Sequence, residues 1–550
     1  MKRLGYVMLA GAALACSLWA AQKAAAPAEK KGAEKKAAAK KTGAGAVTWD
    51  YQKVTRDQIT HMMRGRADAV ITQCEPLAAQ SPDDLEMPYL LALAYAQKDQ
   101  VDKAMEYVRK ALAGGLPIER FLAGPRDAAK PLLDSPVFQA LAREKPVQLL
   151  HGPMLGSIND GGAAFWVRTV AEVPVQAVVG ESPKLENPIR SPDGRTREDR
   201  DFTAIVAVSG LRPDTTYYYD VLVDGQSTCR PPKEFRTFPK AGSPARFEVA
   251  FGGGAGWAPL NERMWTTVAA HKPLAMLLLG DNVYIDTPKV PATQRYCYYR
   301  RQSRPEFRRL VAAAPVFAIY DDHDFGDNDC VPGPAIDDPP WKRVALGVFA
   351  ENWVNSAYGG GREQPGCWFE FSIGNVDFFM LDCRYYRDLK GNPPSMLGPA
   401  QKARLLKVLR DSKGTFRVLA SSVPWATGTK PGAKDTWDGF PQEREEILSF
   451  LEANRIGGVV LLSADRHRSD VWKIPRKGCD LYEFETSKLT NIHTHPEMPQ
   501  ALFSYNKKDA AGFLEFDTTA ADPQVTYRII SIDDEVIHTF TVKRSQLTPR

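Results

Sequence analysis

Six apolar runs that each break off into polar residues constrain this chain more than any other feature. They are FEVAFGGG, AMLLLGDNVY, VFAIYDDHDFGDND, VDFFMLDCRYYR, FRVLASSVPW and GGVVLLSADRHRSD. A short continuous apolar run closed by turn residues reads as a strand buried on both faces. Between the runs lie the helical stretches LNERMWTTVAAH, RPEFRRLVAAA, PAQKARLLKVLRDS and QEREEILSFLEANR. Alternation of strand and helix specifies an α/β layered domain. Three of the strand ends carry chemistry: Asp281 and Tyr284, then Asp321, Asp322, His323 and Asp324, then Asp465 and His467. The ends of neighbouring parallel strands open onto one crevice, so these side chains are expected to converge.

Carboxylates, imidazole and phenolate gathered in a crevice suit a pair of metal ions, which neutralise a phosphate ester and activate water. Hard oxygen donors suit hard cations. On this reading Asp281 bridges the ions, Asp322 holds the second, and Asp465 and His467 complete the set. His323 faces the substrate as a proton donor or as a stabiliser of developing charge. Phosphate also calls for arginine, which grips two oxygens at once. Arg384 in LDCRYYR and Arg466 or Arg468 in SADRHRSD are the candidates. The richer cluster YYRRQSRPEFRR opens a helix and reads as a solvated face. His493 and His495, in SKLTNIHTHP, fit a metal or substrate role and equally a hydrogen-bonded loop; they share a side only if the segment is extended. The plain alternatives are that an Asp at a strand end caps a helix, and that Tyr284, Trp257, Trp425 and Trp437 are core.

In order and spacing, GDNVY, YDDHDFGDND, LDCRYYR and SADRHRSD resemble the motif series of the PhoD-like alkaline phosphatases, a branch of the calcineurin-like metallophosphoesterases. The resemblance spans about residues 150–550. It implies a four-layer metallophosphoesterase-type α/β sandwich, preceded by a fibronectin type III-like β-sandwich; the N-terminal helical repeat-like segment lies outside it. It implies hydrolysis of phosphate mono- or diesters with two or more metal ions, calcium and iron in the type case, with magnesium, manganese and zinc left open. It places metal ligands at Asp281, Tyr284, Asp322 or Asn328, Asp465 and His467. One departure stands out. The family's first block carries an iron-binding Cys, and Gly254 of AFGGGAGW stands there instead. Three outcomes are open: an altered iron site, a different metal, or the amides of Gly252, Gly253 and Gly254 acting as an anion nest.

At 550 residues the chain exceeds one ordinary core, and several domains are expected. Residues 1–21 have the layout of an export signal: Lys2 and Arg3, an apolar stretch, then small residues. Export to the periplasm or medium is expected, with a retained anchor or lipid attachment at Cys16 as alternatives. Residues 22–47 form a Lys/Ala-rich linker carrying seven Lys and two Glu, an excess as large as the whole chain's net charge of +5. The folded remainder therefore has no surplus positive charge, which excludes a nucleic-acid-binding body. The linker is a solvated tether or a weak contact to an acidic envelope surface. Residues 48–145 read as helical, with one tetratricopeptide-type pair in PYLLALAYAQKDQVDKAMEYVRKALAGG. Too few repeats are present for a solenoid, so a structural cap is preferred over a protein-binding surface. Residues 146–240 alternate apolar and polar positions between turns, the rhythm of a β-sandwich, and residues 241–550 form the α/β unit with closing C-terminal strands. The opposing functional hypothesis is a degenerate phosphatase scaffold that only binds, which the missing Cys favours.

Overall fold

The computed structural model describes residues 51–549. The export signal, Cys16 and the linker lie outside the described residues. Seven helices among those described, between Tyr51 and Glu144, form the N-terminal segment. Helix Glu86–Gln97 is apolar all round and buried almost throughout, whereas Val101–Ala113 buries only the stripe Ala104, Met105, Val108 and Ala111. The first described helix, α1 (Tyr51–Met63), packs along helix Pro291–Gln302 of the α/β unit.

Residues 149–236 form two small antiparallel sheets. One pairs strands Leu149–Gly156, Gly162–Thr169 and Thr203–Ser209; the other is built on Pro174–Gly180, Thr216–Val223 and Lys233–Arg236. Phe165 of the first meets Tyr219 of the second, ring centroids 4.6 Å apart, so the sheets close on an aromatic core.

Two larger mixed sheets make the α/β unit. Its principal strands are β1 (Arg246–Gly252), β2 (Met276–Leu279), β3 (Val316–Ile319), β4 (Val376–Met380), β5 (Phe416–Ala420), β6 (Val459–Ser463) and β7 (Leu481–Thr486). In one sheet β3, β2 and β1 run parallel, and β1 then pairs antiparallel with the C-terminal strand Ala510–Asp517. In the other, β4, β5, β6 and β7 run parallel. The period-two alternation of side chains builds the layers. Phe378, Val418 and Val460 enter the core between the sheets, while their neighbours Phe379, Leu419 and Leu461 enter a second core under helices Gly398–Asp411 and Pro441–Ala453. Phe378 meets Phe516 and Phe484 meets Tyr527 across the gap between the sheets. The six apolar runs all supply strands, and their ends face the same rim.

One sequence expectation changes, and one open choice closes. The arginine cluster is solvated only in part: Arg309 is exposed, whereas helix Pro291–Gln302, under α1, buries Arg300 and Arg301 almost completely. Trp425 and Trp437 stack at 4.3 Å with no exposed surface and are core. The seven described cysteines are free thiols, and no described helix is long and apolar enough to cross a membrane.

Candidate metal centre

The loop after β2 and the short helical turn after β3 are knitted together by main-chain bonds. The amides of Ile285 and Asp286 both donate to the His323 carbonyl, at 2.6 and 3.1 Å. Asp324 accepts from the amides of Asn282 and Val283, both at 2.9 Å, which makes it a structural acid, with burial pushing its pKa up to about 6. The remaining acids face the crevice. Carboxylate oxygens of Asp281 and Asp322 and a ring nitrogen of His323 lie within 4.8 Å of one another, and so do oxygens of Asp281, Asp321 and Asp465. Asp281 belongs to both groups, the arrangement a bridging ligand requires. It is 1% exposed, with the Tyr284 hydroxyl against it. Burial, reinforced by Asp322, Asp321 and Asp324, holds its pKa well above the usual carboxylate range. An acid so placed is satisfied by a cation, and the donor set is the oxygen-rich kind that hard metal ions take.

Four of the sequence candidates have left-handed backbone: Asp281 at φ 54°, Tyr284 at 54°, Asp465 at 72° and His467 at 49°. Each such residue costs about 1 kcal/mol or more when it is not glycine, and such strain gathers where side chains must be aimed.

Tyr284 and His467 stand together, hydroxyl to Nε2 3.2 Å, and Asn491 Nδ2 donates to the same hydroxyl at 2.6 Å. His467 Nδ1 donates to the His493 carbonyl at 3.3 Å. Burial and the neighbouring His493, His495, His323 and Arg466 hold its pKa well below normal. A neutral imidazole with Nδ1–H fixed on a carbonyl presents Nε2 as a metal donor. His323 is held oppositely. Burial disfavours its charge, but Asp322, Asp281 and Asp286 outweigh that, and Asp286 bonds Nδ1 at 2.5 Å. His493 and His495 do gather at the site, their ring centroids 5.0 and 5.4 Å from His467. Burial, with Arg466 next, pushes His495 down to about 3.

Other expectations are redirected. Arg384 is fully buried and committed: Nε and Nη2 fork onto Asp321, and Nη1 bonds Asp435 at 2.8 Å. It orients Asp321 and is not free to grip substrate. Arg468 is likewise bound to Asp470 Oδ2 at 2.7 Å. Arg466 contacts Asp465 Oδ2 at 3.2 Å, and its Nε has no partner. Asn328 is exposed, and it is Asp329 beside it that approaches Asp322 and Asp435. The anion nest at Gly252–Gly254 is excluded, because Gly253 N donates to the Thr486 carbonyl and Gly254 N to the Gly280 carbonyl. Gly254 has φ 63°, and a Cβ there would lie 2.1 Å from the Ser487 carbonyl oxygen, so this backbone admits neither a cysteine nor any other side chain.

Sequence reasoning missed Asp286, Asp435 and Asn491. Asp286 was within sight, two residues beyond Tyr284. Asp435, in a loop with no strand-end signal, and Asn491 carried none.

Known proteins share this arrangement of sheets. The family model of PhoD-like phosphatases matches residues 249–528, just over half of the chain. A domain of unknown function matches residues 146–242, the small sandwich. Alkaline phosphatase D of Bacillus subtilis (strain 168) is 24% identical over 347 residues, covering 54% of this chain and 58% of that protein. Among solved structures, that of PhoD overlays with a TM-score of 0.62 at 18% identity, covering 72% of this chain and 90% of its own. A purple acid phosphatase from yellow lupin (Lupinus luteus) seeds gives 0.53 at 13% identity, covering 72% and 75%.

Proposed function

The chain belongs to the PhoD-like phosphatase family, and from that premise we propose that it is a metal-dependent phosphoesterase that hydrolyses phosphate mono- or diesters. One observation carries the reading: Asp281, buried among other acids, is shared by two groups of ligating atoms. The residues fit two cations, one at Asp281 and Asp322 with the His323 ring alongside, the other at Asp281, Asp321 and Asp465, with Tyr284 and His467 beside them. When bound, such ions neutralise the ester's charge and make water nucleophilic at neutral pH.

The chain's own groups do the rest. His323, fixed at Nδ1 by Asp286, holds the proton that the leaving oxygen needs. Arg466 meets the phosphate oxygens, and His493 and His495 border the mouth. Without sulfur at position 254 the centre is richer in oxygen than the family pattern, which favours calcium, magnesium or manganese over an iron–thiolate site. The helices of residues 51–144 and the small sandwich suit the repeat-like and fibronectin type III-like reading, and the amino terminus suits export.

Metal analysis of the purified protein, joined to a panel of aryl phosphates and bis-aryl phosphates, tests the proposal. We expect bound metal and turnover, both lost in Asp281→Asn. Metal-free protein that stays inert with Ca²⁺, Mg²⁺, Mn²⁺, Zn²⁺ and iron would instead be a scaffold that only binds.

A further inference from the structure

Helix α1 belongs to the segment read from sequence as a cap, yet it reaches the catalytic loop. Arg56 is 4% exposed and lies 228 residues before its partner Tyr284. Its Nη1 donates to the Tyr284 carbonyl at 2.8 Å, and its Nη2 forms an ion pair with Asp286 Oδ2. The other oxygen of Asp286 holds His323 Nδ1. One guanidinium thus fixes the main chain of a candidate metal ligand and, through Asp286, the ring of the candidate proton donor. Both loop residues need such restraint, since Tyr284 and Asp286 have φ of 54° and 51°. Two further bonds seat α1: Thr60 Oγ1 to Thr293 Oγ1 at 2.8 Å, and Arg300 Nη1 to Thr55 Oγ1 at 2.6 Å.

We propose that Arg56 is a positioning residue of the active site, so that α1 completes the catalytic centre rather than covering it; the inference rests on the phosphoesterase reading above. Arginine is needed because a planar fork reaches a carbonyl and a carboxylate together, which a single ammonium cannot do in the same geometry. Arg56 touches no reacting atom. It acts by holding the 281–286 loop and by keeping the Asp286–His323 pair in register.

The test uses the full chain, metal-loaded, with an aryl phosphate. Arg56→Ala should lower kcat about 10- to 100-fold, the usual size for a lost supporting contact, with KM changed far less. Added guanidinium should restore part of the loss, and Arg56→Lys should recover only a fraction. The double variant Arg56→Ala/Asp286→Asn should lose less than the product of the two single losses, because part of the effect of Arg56 runs through Asp286. Thr60→Val removes a bond across the same junction without touching the loop and should keep wild-type kcat. Hydrogen exchange supplies a readout that needs no turnover: amides of 281–286 should open faster in Arg56→Ala and not in Thr60→Val. Wild-type kcat in Arg56→Ala, or a loss matched by Thr60→Val without guanidinium rescue, overturns the inference. If the wild-type enzyme hydrolyses no ester, the phosphoesterase reading fails by itself, and unchanged exchange of the loop in Arg56→Ala then overturns the role of Arg56 independently.

Discussion

Two halves of one crevice bury carboxylates to the same degree and treat them differently. On one side Asp435 is matched by both Arg384 and Arg387, which hold its pKa well below the usual carboxylate range against the effect of burial. On the other, no arginine or lysine pairs with Asp281, and its neighbours Asp321, Asp322 and Asp324 push its pKa up with His323 opposing them. The difference separates architecture from function. A paired buried charge is part of the scaffold, and removing one partner leaves the other stranded. An unpaired buried acid is a standing cost that a cation relieves.

The sharpest way to break the comparison is at Asp281. Asp281→Asn should abolish metal binding and reduce turnover to background, while the metal-free variant melts no lower than metal-free wild type, because a repelling charge has gone; elemental analysis and calorimetry decide. Arg384→Met, on the paired side, should do the reverse in kind. It strands Asp321, takes one of the arginines from Asp435, and should cost about 3–5 kcal/mol of stability, read by denaturant unfolding. A Met variant as stable as wild type would erase the distinction between the halves.

A smaller effect is expected at Gly254. Gly254→Cys restores the family's residue type but sets a side chain against the Ser487 carbonyl on left-handed backbone. It should destabilise by about 1–3 kcal/mol and create no thiolate–metal absorption. Appearance of that absorption would show that the loop adapts.

The smallest effect lies at Asp509, a buried acid outside the crevice beside Lys488. Burial, only partly opposed by Lys488, pushes its pKa up to about 7. The folded state therefore keeps a proton that the unfolded chain has already released, and stability falls as pH rises from about 4 to about 7. Asp509→Asn should remove that slope, raising stability at pH 8 more than at pH 4, read by denaturant unfolding at the two pH values.

The strands and most helices of the α/β unit were legible because apolar runs and their polar ends are local patterns. So were Asp281, Tyr284, Asp322, His323, Asp465 and His467, each a few residues past a strand. Arg384 shows where that logic stops. Its position after β4 was readable, but its commitment to Asp321 and Asp435 was not, since Asp435 comes from a loop 51 residues onward. The same holds for the buried arginines of helix Pro291–Gln302, whose composition reads as surface until α1 is laid over it. Gly254 is the converse case. Its identity was plain in the sequence, yet the reason for it, a carbonyl oxygen from 233 residues away in the chain, exists only in the fold.

The sequence by itself determined which residues stand at the strand ends and that they are acids, imidazoles and a phenol, because periodicity and turn chemistry act over a few residues. Only the tertiary structure decided which of those charges are neutralised by the protein and which are left for a metal, and that α1 reaches the loop through Arg56. Electrostatic pairing depends on distance in space, and the partners that settle it lie tens to hundreds of residues apart.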